Sequence, residues 1–263
     1  MTELTGRVTT GDGCSLAYRF DGPADAPVLI LSNSLGTAMA MWDAQIPAFS
    51  RQFRVLRYDS RGHGASGVPA GAYSMDRLGR DVIELMDALD IKTASLCGVS
   101  KGGMVGQWMG ARAPERIEKL ALCNTAAYMG PPEGWDQRIV AVNANGMATM
   151  TEPVLERWFT PEFRAGSPEA VAPVRDMLLT TDPAGYAGCC AAIRDMDLRL
   201  TDPLVRRPTL VVAGSRDPST PPEVTGKVAE LIPGARLVVL EAAHLSNIEQ
   251  AEAFTREVLT FLA

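Results

Sequence analysis

Short apolar runs recur along the chain: PVLILSNS, FRVLRYDSRG, ASLCGVS, KLALCNT, PTLVVAGSRD and RLVVLEAAH. Each is nearly continuous in apolar residues and ends in small or polar ones. That is the pattern of strands buried on both faces, as in a parallel sheet covered by helices. Helix-compatible segments alternate with them: MDRLGRDVIELMDALD, the stretch after Ser100, PEVTGKVAELIP and the C-terminal QAEAFTREVLTFLA. From Met75 to Leu89, the residues Leu78, Val82, Leu85, Met86 and Leu89 share one helical face. The opening runs GRVTT and SLAYRFDG, joined by the turn TGDG, predict a strand pair. The alternation as a whole predicts an α/β chain with an open, doubly wound, mostly parallel sheet.

The alternation fails once. From about Ala127 to Arg199 there is no convincing strand, only helical pieces broken by Pro131, Pro132, Pro153, Pro161, Pro168 and Pro183. A helical insertion this late reads as a cap over the carboxyl ends of the strands, where ligands of such sheets bind. The expected organisation is a core of residues 1–126 and 200–263 with a helical cap of residues 127–199. No internal repeat or low-complexity tract interrupts it.

Composition narrows the function classes. A chain of 263 residues suits one large α/β domain with an insertion, and 46% hydrophobic with 21% charged residues is an ordinary soluble balance. A net charge of -6 argues against nucleic acid or an anionic membrane as partner, without constraining the charge inside a pocket. The start, MTELTGRVTT, has no apolar core of signal-peptide length, and no run of about 18 apolar residues occurs, so a cytoplasmic protein is expected. The five cysteines are odd in number, lack C-x-x-C spacing and accompany only two histidines. Neither a disulfide framework nor a metal site is expected, and Cys189 and Cys190 read as small buried residues of a cap helix.

The chemistry concentrates around CGVSKGGM. Gly98-Val99-Ser100-Lys101-Gly102 fits G-x-S-x-G, with the apolar run TASLCGV before it and the helix-compatible GGMVGQWMGAR after it. A sharp strand-to-helix turn there would expose the Ser100 hydroxyl at a helix N-terminus, where developing negative charge is favoured. Serine needs a base to become a nucleophile, and only His63 and His244 exist. In this arrangement the order along the chain is serine, acid, histidine, which leaves His244 as the base and His63 as a turn residue satisfied by local hydrogen bonds. Asp217, ending VVAGSRD, is the expected acid, with Asp202 and Glu241 as competitors; the other strand-end position holds Asn124, not an acid. The oxyanion hole is expected from the backbone N–H of Lys101 and from that of Leu35 in SNSLGT.

Together LSNSLGT (31–37), RYDSRGHGAS (57–66), CGVSKGGM (97–104), LALCNTA (120–126), ERWFTPEF in the cap, AGSRDPSTPP (213–222) and AAHLSNIEQAEAF (242–254) resemble the α/β-hydrolase superfamily. SNSLGT, LCNTA, RWFTPEF and HLSNIEQ narrow the resemblance to 3-oxoadipate enol-lactonases. The resemblance implies hydrolysis of a carboxylate-bearing five-membered enol lactone to 3-oxoadipate through an acyl-enzyme, with no metal or organic cofactor. A broader carboxylesterase, a cofactor-free perhydrolase-like enzyme, or a variant whose reaction Lys101 has altered is the alternative, and a lyase or ligand receptor a more distant one. Arg138, Arg157, Arg164, Arg175 and Arg194 could supply a cation for the substrate carboxylate. Arg138 is carried forward as a substrate-binding candidate, with Trp135 and Trp158 as pocket walls.

The chain departs from the family pattern at Arg216, before the expected acid, and at Lys101, where an apolar residue usually follows the nucleophile. Two placements of the Lys101 side chain are open. Its stem could lie along apolar surface with the ammonium in solvent or on a carboxylate. Alternatively the ammonium could enter the active site, attracting an anion but opposing protonation of His244.

Overall fold

The apolar runs become strands where their pattern predicts them. In the computed structural model, which describes residues 4–263, the strands are β1 (Leu4–Thr9), β2 (Ser15–Asp21), β3 (Val28–Ser32), β4 (Arg54–Tyr58), β5 (Ala94–Val99), β6 (Ile117–Cys123), β7 (Thr209–Gly214) and β8 (Arg236–Leu240). They form one 8-stranded sheet in the order β1-β2-β4-β3-β5-β6-β7-β8. β1, β2 and β4 pair antiparallel, and all pairings from β4 through β3 to β8 are parallel. Residues Met1–Glu3, part of the start read above for a leader, lie outside the described residues.

Burial on both faces holds for the central strands, since every residue of β5 and β7 is buried. It does not hold for β8. As the outermost strand it has one neighbour only, and Leu237 and Val239 stay 42% and 50% exposed.

The helices in chain order are α1 (Ile46–Phe49), α2 (Met75–Ala88), α3 (Lys101–Arg112), α4 (Glu133–Asn145), α5 (Ala148–Trp158), α6 (Pro161–Gly166), α7 (Pro168–Thr180), α8 (Pro183–Asp195), α9 (Pro222–Leu231), α10 (Ser246–Glu249) and α11 (Ala251–Leu262). Ser74 caps α2 by accepting the Arg77 N–H, and the helix buries Leu78, Val82, Leu85 and Met86 as its apolar face predicts. Leu89, just past its end, is half-buried.

The helices α4 to α8 stand between β6 and β7 and contribute one wall of the cavity described below. Their prolines do more than break helices. Pro161, Pro168 and Pro183 begin α6, α7 and α8, where the missing N–H would have had no helical partner and the fixed φ suits the first turn. Cys189 and Cys190 are buried on α8, and all five cysteines are free thiols. No helix among the described residues is long and apolar enough to cross a membrane.

Candidate active site

Ser100 sits in the turn between β5 and α3 with φ 57° and ψ -117°, a region that L-residues rarely occupy. Such a conformation costs roughly 1–3 kcal/mol and persists only where neighbours enforce it. Here the Ser100 N–H donates to the Cys123 carbonyl at 2.8 Å, and the Thr125 hydroxyl donates to the Ser100 carbonyl at 2.8 Å. The flanking glycines are needed for close approach. A Cβ on Gly98 would lie 2.2 Å from the Gly102 carbonyl oxygen, and one on Gly102 would lie 2.0 Å from that of Ser32.

Behind the serine, His244 Nδ1 lies 2.7 Å from Asp217 Oδ2. A carboxylate accepts, so the imidazole proton belongs on Nδ1 and Nε2 is left basic. Asp217 also accepts from Ser219 N at 2.7 Å, Thr220 N at 3.0 Å, Thr220 Oγ1 at 2.8 Å and Asn124 Nδ2 at 3.1 Å. Burial alone would raise this carboxyl, but the His244 charge and these hydrogen bonds outweigh it and hold Asp217 below the usual range. Asp202 and Glu241 do not compete: the Asp202 oxygens are buried without a hydrogen-bond partner and Glu241 is exposed.

Asn124 does more than leave an acid missing from its strand end. It occupies φ 45°, donates to Asp217, and accepts the Ser246 hydroxyl at 2.5 Å. The sequence signal was a polar residue ending a buried strand; its partners come from segments about a hundred residues away and carry no local signature.

The SNSLGT loop is fixed by Asn33, whose side chain donates to the Tyr58 carbonyl at 2.8 Å and accepts the Trp42 indole N–H at 2.9 Å. Among the described residues neither the Leu35 N–H nor the Lys101 N–H has an acceptor, and Leu35 borders the same cavity as Ser100. Two unoccupied backbone donors beside a serine are what a developing oxyanion requires.

That cavity, of about 210 Å³, is lined by Ser100 and His244 together with Trp135, Arg138, Arg157, Trp158 and Tyr186, among others. The Trp158 ring packs against His244 with centroids 6.1 Å apart, and the Trp135 indole donates to the Met129 carbonyl at 2.8 Å. Arg138 lies over the Trp135 ring at 5.0 Å. Among the described residues Arg157 has no ion-pair partner; burial first, then the charge of Arg138, lowers its pKa. Of the five cap arginines, Arg138 and Arg157 face the cavity. Arg175 pairs with Glu152 and Arg194 with Asp136 and Asp195 elsewhere on the surface, while Arg164 lies nearest Glu156.

Neither placement expected for the Lys101 side chain is found. The residue is fully buried, its Nζ has no hydrogen-bond partner, and it does not line the cavity. Burial lowers the pKa of its amine. His63 also differs from expectation: besides a local contact with the Arg61 carbonyl, its Nε2 accepts the Gly36 N–H at 2.8 Å. Arg216, the other departure, pairs with Glu162 of α6 at 3.0 Å.

A parallel sheet with a strained serine at the β5–α3 turn, and a buried His–Asp pair on later loops, defines a hydrolase of the α/β class. Residues 27–165 match the family described as "alpha/beta hydrolase fold", and residues 188–263 match one described as "TAP-like protein". The chain belongs to the α/β-hydrolase family. It is 42% identical to 3-oxoadipate enol-lactonase 2 of Acinetobacter baylyi, over 95% of this chain and 93% of that protein. The enol-lactonase of Burkholderia xenovorans LB400 superposes with a TM-score of 0.96 at 45% identity, covering 98% of this chain and 99% of that one. A hydrolase of Pseudomonas aeruginosa does so with a TM-score of 0.96 at 50% identity, covering 98% of each chain.

Proposed function

We propose that the protein is a cytoplasmic serine hydrolase that opens 3-oxoadipate enol-lactone or a close carboxylate-bearing relative. One observation carries the substrate class: Arg138 and Arg157 face the cavity that holds Ser100 and His244, and no Asp or Glu lines it. Two cations without a counter-ion in a confined space favour an anionic ligand, and the small volume favours a compact one.

Ser100 attacks the lactone carbonyl as His244 Nε2 takes its proton, while Asp217 holds the imidazole by Nδ1. Charge on the carbonyl oxygen is met by the Leu35 and Lys101 N–H groups. The ring C–O bond breaks, and the enolate so released is protonated to the ketone while the carbonyl carbon stays on Ser100. Water, deprotonated by His244, then cleaves the ester and frees the diacid. Trp135 and Trp158 wall the ring, and Arg138 with Arg157 takes the side-chain carboxylate. No cofactor enters these steps.

Steady-state kinetics on the enol lactone and on p-nitrophenyl acetate test this reading. Arg138→Gln and Arg157→Gln should each raise KM for the lactone about tenfold or more, the worth of one charge-assisted hydrogen bond, and leave the neutral ester within about twofold. A wild type that prefers simple esters by orders of magnitude would identify a general esterase instead. Labelling of Ser100 by a fluorophosphonate checks the nucleophile, and an unlabelled protein would overturn the acyl-enzyme.

A further inference from the structure

His63 reaches the backbone of the loop that carries Leu35. The Gly36 N–H donates to His63 Nε2 at 2.8 Å, and His63 Nδ1 lies 3.2 Å from the Arg61 carbonyl oxygen. A carbonyl only accepts, so the ring proton sits on Nδ1 and Nε2 offers its lone pair. A second proton on Nε2 would set two donors against each other and break the bond to Gly36. A second grip lies close by: Asp59 accepts the Met39 N–H at 2.7 Å and the Ala65 N–H at 2.9 Å. The turn bearing Asp59 and His63 thereby holds the loop on both sides of its Thr37–Ala38 segment.

The turn is itself anchored. Arg61 donates to Asp81 of α2 at 2.6 and 2.7 Å and to Asp12 at 2.8 Å, which turns its guanidinium away from the imidazole. Around His63 itself, Cys189 Sγ of α8 lies 4.0 Å from Nδ1, and the charge of Lys101 disfavours a second proton on the ring.

We propose that His63 is a positioning residue for the oxyanion hole, holding the Leu35 N–H in place through Gly36. The inference rests on reading the Leu35 and Lys101 N–H groups as the oxyanion donors. Burial first, and Lys101 second, push His63 down to about 3.

The chain has only two histidines, so ¹⁵N NMR of the imidazoles in the intact protein reads both, and His63→Gln assigns them. His63 should be a neutral Nδ1–H tautomer that does not titrate down to pH about 4. Turnover of p-nitrophenyl acetate gives the catalytic arm without depending on the lactone being the substrate. His63→Leu should lower kcat about 10²-fold with KM within threefold, and His63→Gln, whose amide oxygen can accept from Gly36, should recover at least tenfold of that loss. Equal kcat for His63→Leu and His63→Gln would overturn the proposal, as would a proton on Nε2 or a wild-type His63 titrating near 6.5. If His63→Leu fails to fold, the tautomer of wild-type His63 still decides. Loss of lactone turnover alone, with these ester and NMR results intact, would count against the substrate reading and not against this one.

Discussion

Asp217, the proposed catalytic acid, shows how much of a side chain's charge is set by its neighbours. Five donors converge on one carboxylate, so its charge is held although it is almost fully buried. Asn124 supplies one donor and also fixes Ser246, beside the His244 segment. Asn124→Ala should therefore lower kcat about tenfold with little change in KM, since one hydrogen bond to a charged group is worth roughly 1.5–3 kcal/mol and four others remain. Steady-state kinetics checks this, and an unchanged kcat would make Asn124 a packing residue only. Lys101 also has a residue-scale prediction. Because its ammonium does not line the cavity, Lys101→Met should change KM for the lactone and for p-nitrophenyl acetate by the same factor.

Elements position these groups by the way they begin and end. The strained serine exists because β5 runs directly into α3, with backbone packed against both neighbouring glycines. The approach to β7 carries a different tension. Asp202 is buried in the short turn Asp202–Leu204 with neither carboxylate oxygen partnered. Burial, with the charge of Asp197 adding to it, raises its pKa from 3.8 to about 7. The folded chain then keeps a proton that the unfolded chain has already lost, so stability falls as pH rises through that interval and levels off above it. Asp202→Asn should gain thermal stability relative to wild type as pH goes from 4 to 8. Thermal denaturation at a series of pH values measures the difference, and a pH-independent difference would refute the buried charge.

At the scale of the molecule, the inserted helices and the sheet are joined where the chemistry is. Glu249 accepts from the Thr160 hydroxyl and backbone N–H at the start of α6 and, at 2.9 Å, from the Ala243 N–H beside His244. The Leu245 N–H donates to the Trp158 carbonyl at 3.1 Å, and Trp158 packs on the His244 ring. A shift of the inserted helices relative to the sheet would therefore move His244, the proposed base. Glu249→Ala leaves several donors without their acceptor and should lower Tm by roughly 2–10 °C. Hydrogen exchange should speed up at Thr160 and Ala243 together; acceleration on one side only would show that the two parts are not coupled through Glu249.

Short-range pattern was enough for several features. Apolar runs with polar ends define strands, the period of Leu78, Val82, Leu85 and Met86 defines a helix, and G-x-S-x-G after a strand defines the elbow, because each depends on neighbours in sequence. Scarcity helped too: with two histidines and a fixed order, the expected base was nearly determined. Tertiary structure alone decided whatever depends on partners far along the chain. It shows that β8 is an edge, that Arg138 and Arg157 face the serine while the other cap arginines do not, and that Asn124 and His63 support groups distant in sequence. Lys101 illustrates the division most sharply. Its position after Ser100 fixed where its N–H lies, but four rotatable bonds left its amine free to point anywhere, and only tertiary packing, which buries it away from the cavity, decided its place.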